Sequence, residues 1–140
     1  MTVTGGCSCG NIKYSFDGEP NAAAFCHCNA CRRSTNSTYS HNLMIPEDAF
    51  KLASGTPKTW QRVGESGGKV TNHFCPDCGT LCYVKGDMLA GTTLVKAGTL
   101  DDLSLVENNE KYKPGVELYA KRKFAWLPDL PGVHKVEGMS

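Results

Sequence analysis

Seven of the chain's eight cysteines fall in three tight clusters, and that spacing limits what the chain can fold into more than any other feature. Cys7 and Cys9 form C-x-C inside Gly5-Gly6-Cys7-Ser8-Cys9-Gly10. Cys26, Cys28 and Cys31 form C-x-C-x-x-C, and Cys75 and Cys78 form C-x-x-C before Gly79. Two thiolates bound ~2.3 Å from one tetrahedral zinc lie ~3.8 Å apart, a separation that near neighbours reach once the backbone turns tightly. Gly10 and Gly79 can supply such turns, since glycine takes positive φ without strain. The N-terminus has neither the basic nor the apolar region of a secretory signal, and no run approaches the ~18 apolar residues of a membrane span. The expected setting is therefore a reducing, cytoplasmic one, where clustered cysteines point to metal rather than to disulfides.

The clusters divide into two sets. Cys7, Cys9, Cys75 and Cys78 make a closed four-thiolate set that would staple the start of the chain to its middle, as a structural zinc does; buried free thiols or disulfides are the alternative. Cys26, Cys28 and Cys31 supply three ligands. Three protein ligands and one open position mark a catalytic zinc, able to take water or an exogenous thiol. The competing reading is a second structural site closed by Cys82, His27 or His73. Cys82 sits in the apolar run Thr80–Val84 and reads as a small core residue. His27 lies between two ligands and would point away from the metal, toward solvent or substrate. Two Zn2+ per chain are expected.

The rest of the sequence reads as one soluble domain. A chain of 140 residues, 40% hydrophobic and 21% charged, can bury roughly 68 to 70% of its unfolded surface without disulfides. Its formal charge of +1 argues against a nucleic-acid partner. The pattern predicts mostly strands: Ile12 to Phe16, Ala22 to Phe25, Ser37 to Ile45, Trp60 to Val63, Lys69 to Phe74, Leu81 to Val84, Gly91 to Ala97 and Glu117 to Lys121. Gly64 to Gly68 reads as a hairpin tip whose second strand delivers Cys75. No segment sustains helical periodicity for three turns; Pro46 opens at most a single turn. The domain core is expected over residues 5–127, with 128–140 an irregular tail. Oligomeric state has no sequence signal here.

Gly5-Gly6-Cys7-Ser8-Cys9-Gly10, Phe25-Cys26-His27-Cys28-Asn29-Ala30-Cys31-Arg32-Arg33, Phe74-Cys75-Pro76-Asp77-Cys78-Gly79-Thr80 and Ala97-Gly98-Thr99-Leu100-Asp101-Asp102 together resemble the glutathione-dependent formaldehyde-activating enzyme family, which also includes centromere protein V. The resemblance runs from about Gly5 to Trp126. It implies a mainly β fold, the β-tent of small antiparallel sheets with short helical turns, a structural zinc at Cys7, Cys9, Cys75 and Cys78, and a catalytic zinc at Cys26, Cys28 and Cys31. It also implies carbon–sulfur lyase chemistry, the reversible joining of a thiol such as glutathione to an aldehyde carbon. Two positions depart from the family pattern: Asn36 stands where members often have glycine, and Glu117 where they often have histidine.

On this reading the chain is a zinc-dependent lyase acting on a glutathione-like thiol and an aldehyde such as formaldehyde. Three cysteine thiolates leave the zinc site at net −1, so nearby cations matter. Arg32 and Arg33 are candidates both to offset that charge and to grip a substrate carboxylate, one of them being expected on the solvated surface. His27 and Tyr39 are further candidates to contact substrate, and Tyr39, His41, His73 and Tyr83 to move a proton or polarise a carbonyl. Two other classes remain open. One is a glutathione-independent enzyme using zinc as a Lewis acid on a small carbonyl metabolite; the other is a non-catalytic zinc module that binds a protein.

Overall fold

The computed structural model of the chain describes residues 1–65 and 67–139. Its strands are β1 (Thr2–Gly6), β2 (Lys13–Asp17), β3 (Ala22–Cys26), β4 (Ser40–Pro46), β5 (Phe50–Ser54), β6 (Lys58–Val63), β7 (Lys69–Phe74), β8 (Leu81–Gly86), β9 (Thr92–Lys96), β10 (Val116–Leu118) and β11 (His134–Lys135). Two short helices, α1 (Asn29–Thr35) and α2 (Ser104–Asn108), interrupt them. The fold is mainly β, as expected, and no described helix is long and apolar enough to cross a membrane.

The strands form two sheets. One is β1-β2-β5, and the other runs β11-β10-β3-β4-β9-β8-β7-β6. Pairing is antiparallel except at one edge, where β10 lies parallel to both β3 and β11. A parallel partner for β3 needs a long crossover, and the whole stretch from β4 to α2 supplies it.

Side-chain alternation gives the larger sheet two different faces. Leu43 and Ile45 of β4, Val95 of β9 and Tyr83 of β8 point to one face. There they pack with Val3, Tyr14 and Phe16 of the smaller sheet in the main core. Residues offset by one lie on the other face. Register places Met44 opposite Leu94, Leu94 opposite Val84, Val84 opposite Asn72, and Asn72 opposite Trp60, so one row crosses four strand pairs. One step along, Asn42 pairs with Lys96.

Several expectations are refined here. The strand expected over Glu117 to Lys121 ends at Leu118, because Tyr119 turns into the left-handed region at φ 53 and Ala120–Arg122 form a 3-10 turn. Pro46 does open a single turn, Glu47–Ala49. Ser66, in the expected hairpin tip, lies outside the described residues. Most of the tail is irregular, but one short segment of it pairs with the larger sheet. His134–Lys135 add a strand to β10, Val136 donates to the Glu117 carbonyl, and the Tyr119 amide donates to the Gly138 carbonyl. Val136 and Met139 then pack on the cluster that contains Cys26 and Cys28.

Candidate metal centres

The first centre joins two loops distant in sequence. The Sγ atoms of Cys7, Cys9, Cys75 and Cys78 all lie within 4.8 Å of one another, with Cys7 to Cys9 at 3.6 Å and Cys9 to Cys75 at 3.7 Å. Those separations match thiolates on one tetrahedral ion. The Ile12 amide points at Cys7 Sγ (3.2 Å), and the Asp77 and Cys78 amides point at Cys75 Sγ (3.4 and 3.5 Å). Gly10 (φ 82) and Gly79 (φ 78) make the tight turns after each pair. The two loops are also tied directly, Asn11 donating to Asp77 (2.7 Å) and Thr80 to the Ser8 hydroxyl (3.1 Å). Hydrogen bonds from the Thr80 hydroxyl and backbone lower the Cys78 thiol to about 5. These donors favour thiolates, so the set could hold a metal ion.

The second centre is built by β3 and the start of α1. Cys26 ends β3, and Cys28 is the N-cap of α1, its extended backbone (φ −63, ψ 155) letting its sulfur accept from the Cys31 amide at 3.3 Å. One helical turn brings Cys31 back, and the three Sγ atoms lie within 4.8 Å of one another. Among the described residues no histidine, fourth cysteine, aspartate or glutamate joins them. Hydrogen bonds from Cys26 and Cys28 hold the Cys31 thiol far below its ordinary range, with the Lys96 ammonium and Ser40 hydroxyl adding to the effect. Cys26 is driven upward by hydrogen bonding to Cys28 and Cys31 and by burial. Three sulfurs so close cannot all ionise without a cation between them, and that donor set fits one.

Lys96 is the unforeseen member of this centre. It is 8% exposed, and Nζ donates to Asn42 Oδ1 at 2.6 Å while Asn42 donates to the Ser40 hydroxyl at 2.9 Å. Burial pulls its ammonium down, and the nearby thiolates oppose that. Its sequence signal was a lone lysine ending an apolar strand, Thr92-Thr93-Leu94-Val95-Lys96.

Other candidates are placed elsewhere. His27 does not face solvent: it is fully buried, with Nε2 3.0 Å from Glu117 Oε1 and no described partner for Nδ1. Tyr39 packs on Phe25 (4.1 Å between ring centres) and edge-on to His27. Arg32 is held by the Arg122 carbonyl (2.8 Å) and Asn29 and lies 4.4 Å over the Phe124 ring, so it braces α1. His41 bonds the Tyr112 carbonyl at 2.9 Å, and His73 stacks on Tyr83. Cys82 is buried in the main core, where burial and the cysteines of the first centre push its thiol up to about 12.

The three cysteines open onto a cavity of about 420 Å³ whose floor is the Met44–Leu94–Val84 row. A second cavity of about 400 Å³ holds Arg33 and Trp60 and shares Ala30, Ser34, Arg62 and Asn72 with the first. Arg62 thus stands where the two meet.

A mainly β domain with two cysteine centres, one closed and one opening on a cavity, is the class that fold and site define. The family model for glutathione-dependent formaldehyde-activating enzyme matches residues 2–122, and the chain belongs to that family. A crystal structure of a Rhodobacter sphaeroides protein shares the fold, with a TM-score of 0.60 at 19% identity over 76% of this chain and 95% of that one. No curated protein matches.

Proposed function

We propose that the chain is a zinc-dependent carbon–sulfur lyase that joins or cleaves a glutathione-like thiol and an aldehyde carbon. In the joining direction the thiol S–H adds across the carbonyl, a C–S bond forms, and the proton ends on the former carbonyl oxygen. Cys7, Cys9, Cys75 and Cys78 would hold a structural zinc, and Cys26, Cys28 and Cys31 a catalytic one. When bound there, zinc supplies a position at which a substrate thiol is kept as thiolate near neutral pH.

The observation that carries this reading is the three-sulfur set with no fourth described donor, opening on a cavity. Lys96 takes the charge-offsetting role expected of the arginines, since its ammonium lies buried beside the three sulfurs. Arg33 and Arg62 line the second cavity and would receive the carboxylates of the thiol. A reducing, cytoplasmic setting suits seven ligand thiols that must stay reduced.

Metal analysis combined with a glutathione titration tests this. Two zinc ions, one spectroscopically perturbed by glutathione after cobalt substitution, is the expected result. Two ions indifferent to thiols would point to a protein-binding module. A second ion that ignores thiols but responds to a carbonyl ligand would point to Lewis-acid chemistry without glutathione. Full activity in folded Cys28→Ala and Cys31→Ala proteins would refute the catalytic assignment.

A further inference from the structure

The cavity beside Cys26, Cys28 and Cys31 is far larger than a one-carbon aldehyde needs. At about 420 Å³ it lies within the ~300–1,000 Å³ of sites for drug-sized molecules. A one-carbon aldehyde is not far above the ~30 Å³ share of a water molecule. One stretch of the wall is apolar: Met44, Val84, Leu89, Leu94, Leu118 and Met139. Polar groups share the lining: Lys96 and Asn42 near the sulfurs, Asn29 and Ser34 of α1, and Arg62, Glu65, Asn72 and Arg122 toward the β6–β7 hairpin.

That distribution separates the two reactants. The aliphatic and thioether side chains of that wall offer no donor or acceptor for the amides of a peptide thiol, and burying such groups unpaired is costly. The neighbouring cavity adds the Arg33 guanidinium beside Arg62, a pair for the carboxylates of a peptide thiol. We propose that the apolar cavity takes the carbonyl partner, an aldehyde carrying an unbranched or lightly branched apolar body of roughly four to eight carbons. This rests on the lyase reading for the aldehyde group itself, but the apolar body is argued from the wall alone. The carbonyl end meets the three sulfurs and Lys96, and the hydrocarbon lies along the Met44–Leu94–Val84 row.

Calorimetric titration of the zinc-loaded protein with 1-butanol, 1-hexanol and 1-octanol, which cannot form the adduct, tests the cavity apart from catalysis. Affinity should rise about three- to fourfold per added methylene. Leu94→Trp, which fills the wall, should flatten that series, and Met88→Trp at the rim provides the same test should the first variant fail to fold. Absence of chain-length dependence overturns the proposal. In parallel, glutathione-dependent kcat/KM should climb at least tenfold from formaldehyde to octanal, and a flat or falling series removes the aldehyde assignment. If the alcohols bind in the expected order but no aldehyde is turned over with glutathione, the lyase reading fails and the apolar ligand site stands.

Discussion

Single residues show how departures from a family pattern are accommodated. Asn36 ends α1 at φ 50 and ψ 46, its amide returning to the Arg32 and Arg33 carbonyls. Left-handed backbone is where glycine is unstrained and asparagine is tolerated, which accounts for glycine being common there in the family. Asn36→Gly should change stability by only a few tenths of a kcal/mol. Asn36→Val should cost about 1 to 2 kcal/mol, read by urea unfolding. Glu117 is the second departure, and it closes on His27 inside the protein. Glu117→Ala would leave the buried His27 Nε2 without its acceptor and should destabilise by about 2 kcal/mol, with Glu117→Gln recovering much of that. The sequence shows His27 between two cysteines of the second cluster. It could not show the pairing, because Glu117 lies ninety positions away and reaches His27 only through the parallel β3–β10 edge.

At the scale of elements, strands with strong alternation or apolar runs were legible and the weakly patterned ones were not. β2, β3, β4, β6, β7, β8 and β9 all fall within a few residues of their expected spans. β1 carries Gly5 and Gly6, β5 is largely exposed, and α1 spans barely two turns with no buried residue, so none offers a strong periodic signal. The two-residue strand in the tail is too short to carry a periodic signal, and charge helps to hold it. Asp129 bonds both Lys123 and Lys135 at 2.7 Å, and Lys123 lies 3.2 Å from the Glu117 carboxylate. Hydrogen bonds from Lys123 and Lys135 depress the Asp129 carboxyl to about 2. A depressed carboxylate contributes above its unfolded value near ~3.9, and the contribution is lost as pH falls through about 2. The tail should therefore loosen between about pH 4 and pH 2, and Asp129→Asn should loosen it at neutral pH. Faster hydrogen exchange at His134 and Val136, whose amides bond Gly115 and Glu117 carbonyls, is the readout.

For the whole molecule, the cysteine spacing told which residues assemble but not what surrounds them. The cavity floor comes from strand register between segments as far apart as Met44, Val84 and Leu94, and local pattern carries no register between distant strands. The two centres also sit against different parts of the protein. Cys7, Cys75 and Cys82 belong to the main core, whereas Cys26, Cys28 and Cys31 pack with Leu118, Val136 and Met139 on the other face. Metal binding to such a set is folding energy, on the order of 10 kcal/mol for structural zinc, comparable with the ~5–15 kcal/mol stability of a domain. Cys75→Ala should therefore lose one metal equivalent and its cooperative melting transition together. Cys31→Ala should lose one equivalent and keep a cooperative transition, because the second cysteine set packs in a cluster separate from the main core. Metal content and calorimetry on the two proteins distinguish these outcomes. A Cys31→Ala protein that unfolds as completely as Cys75→Ala would mean that both centres are structural.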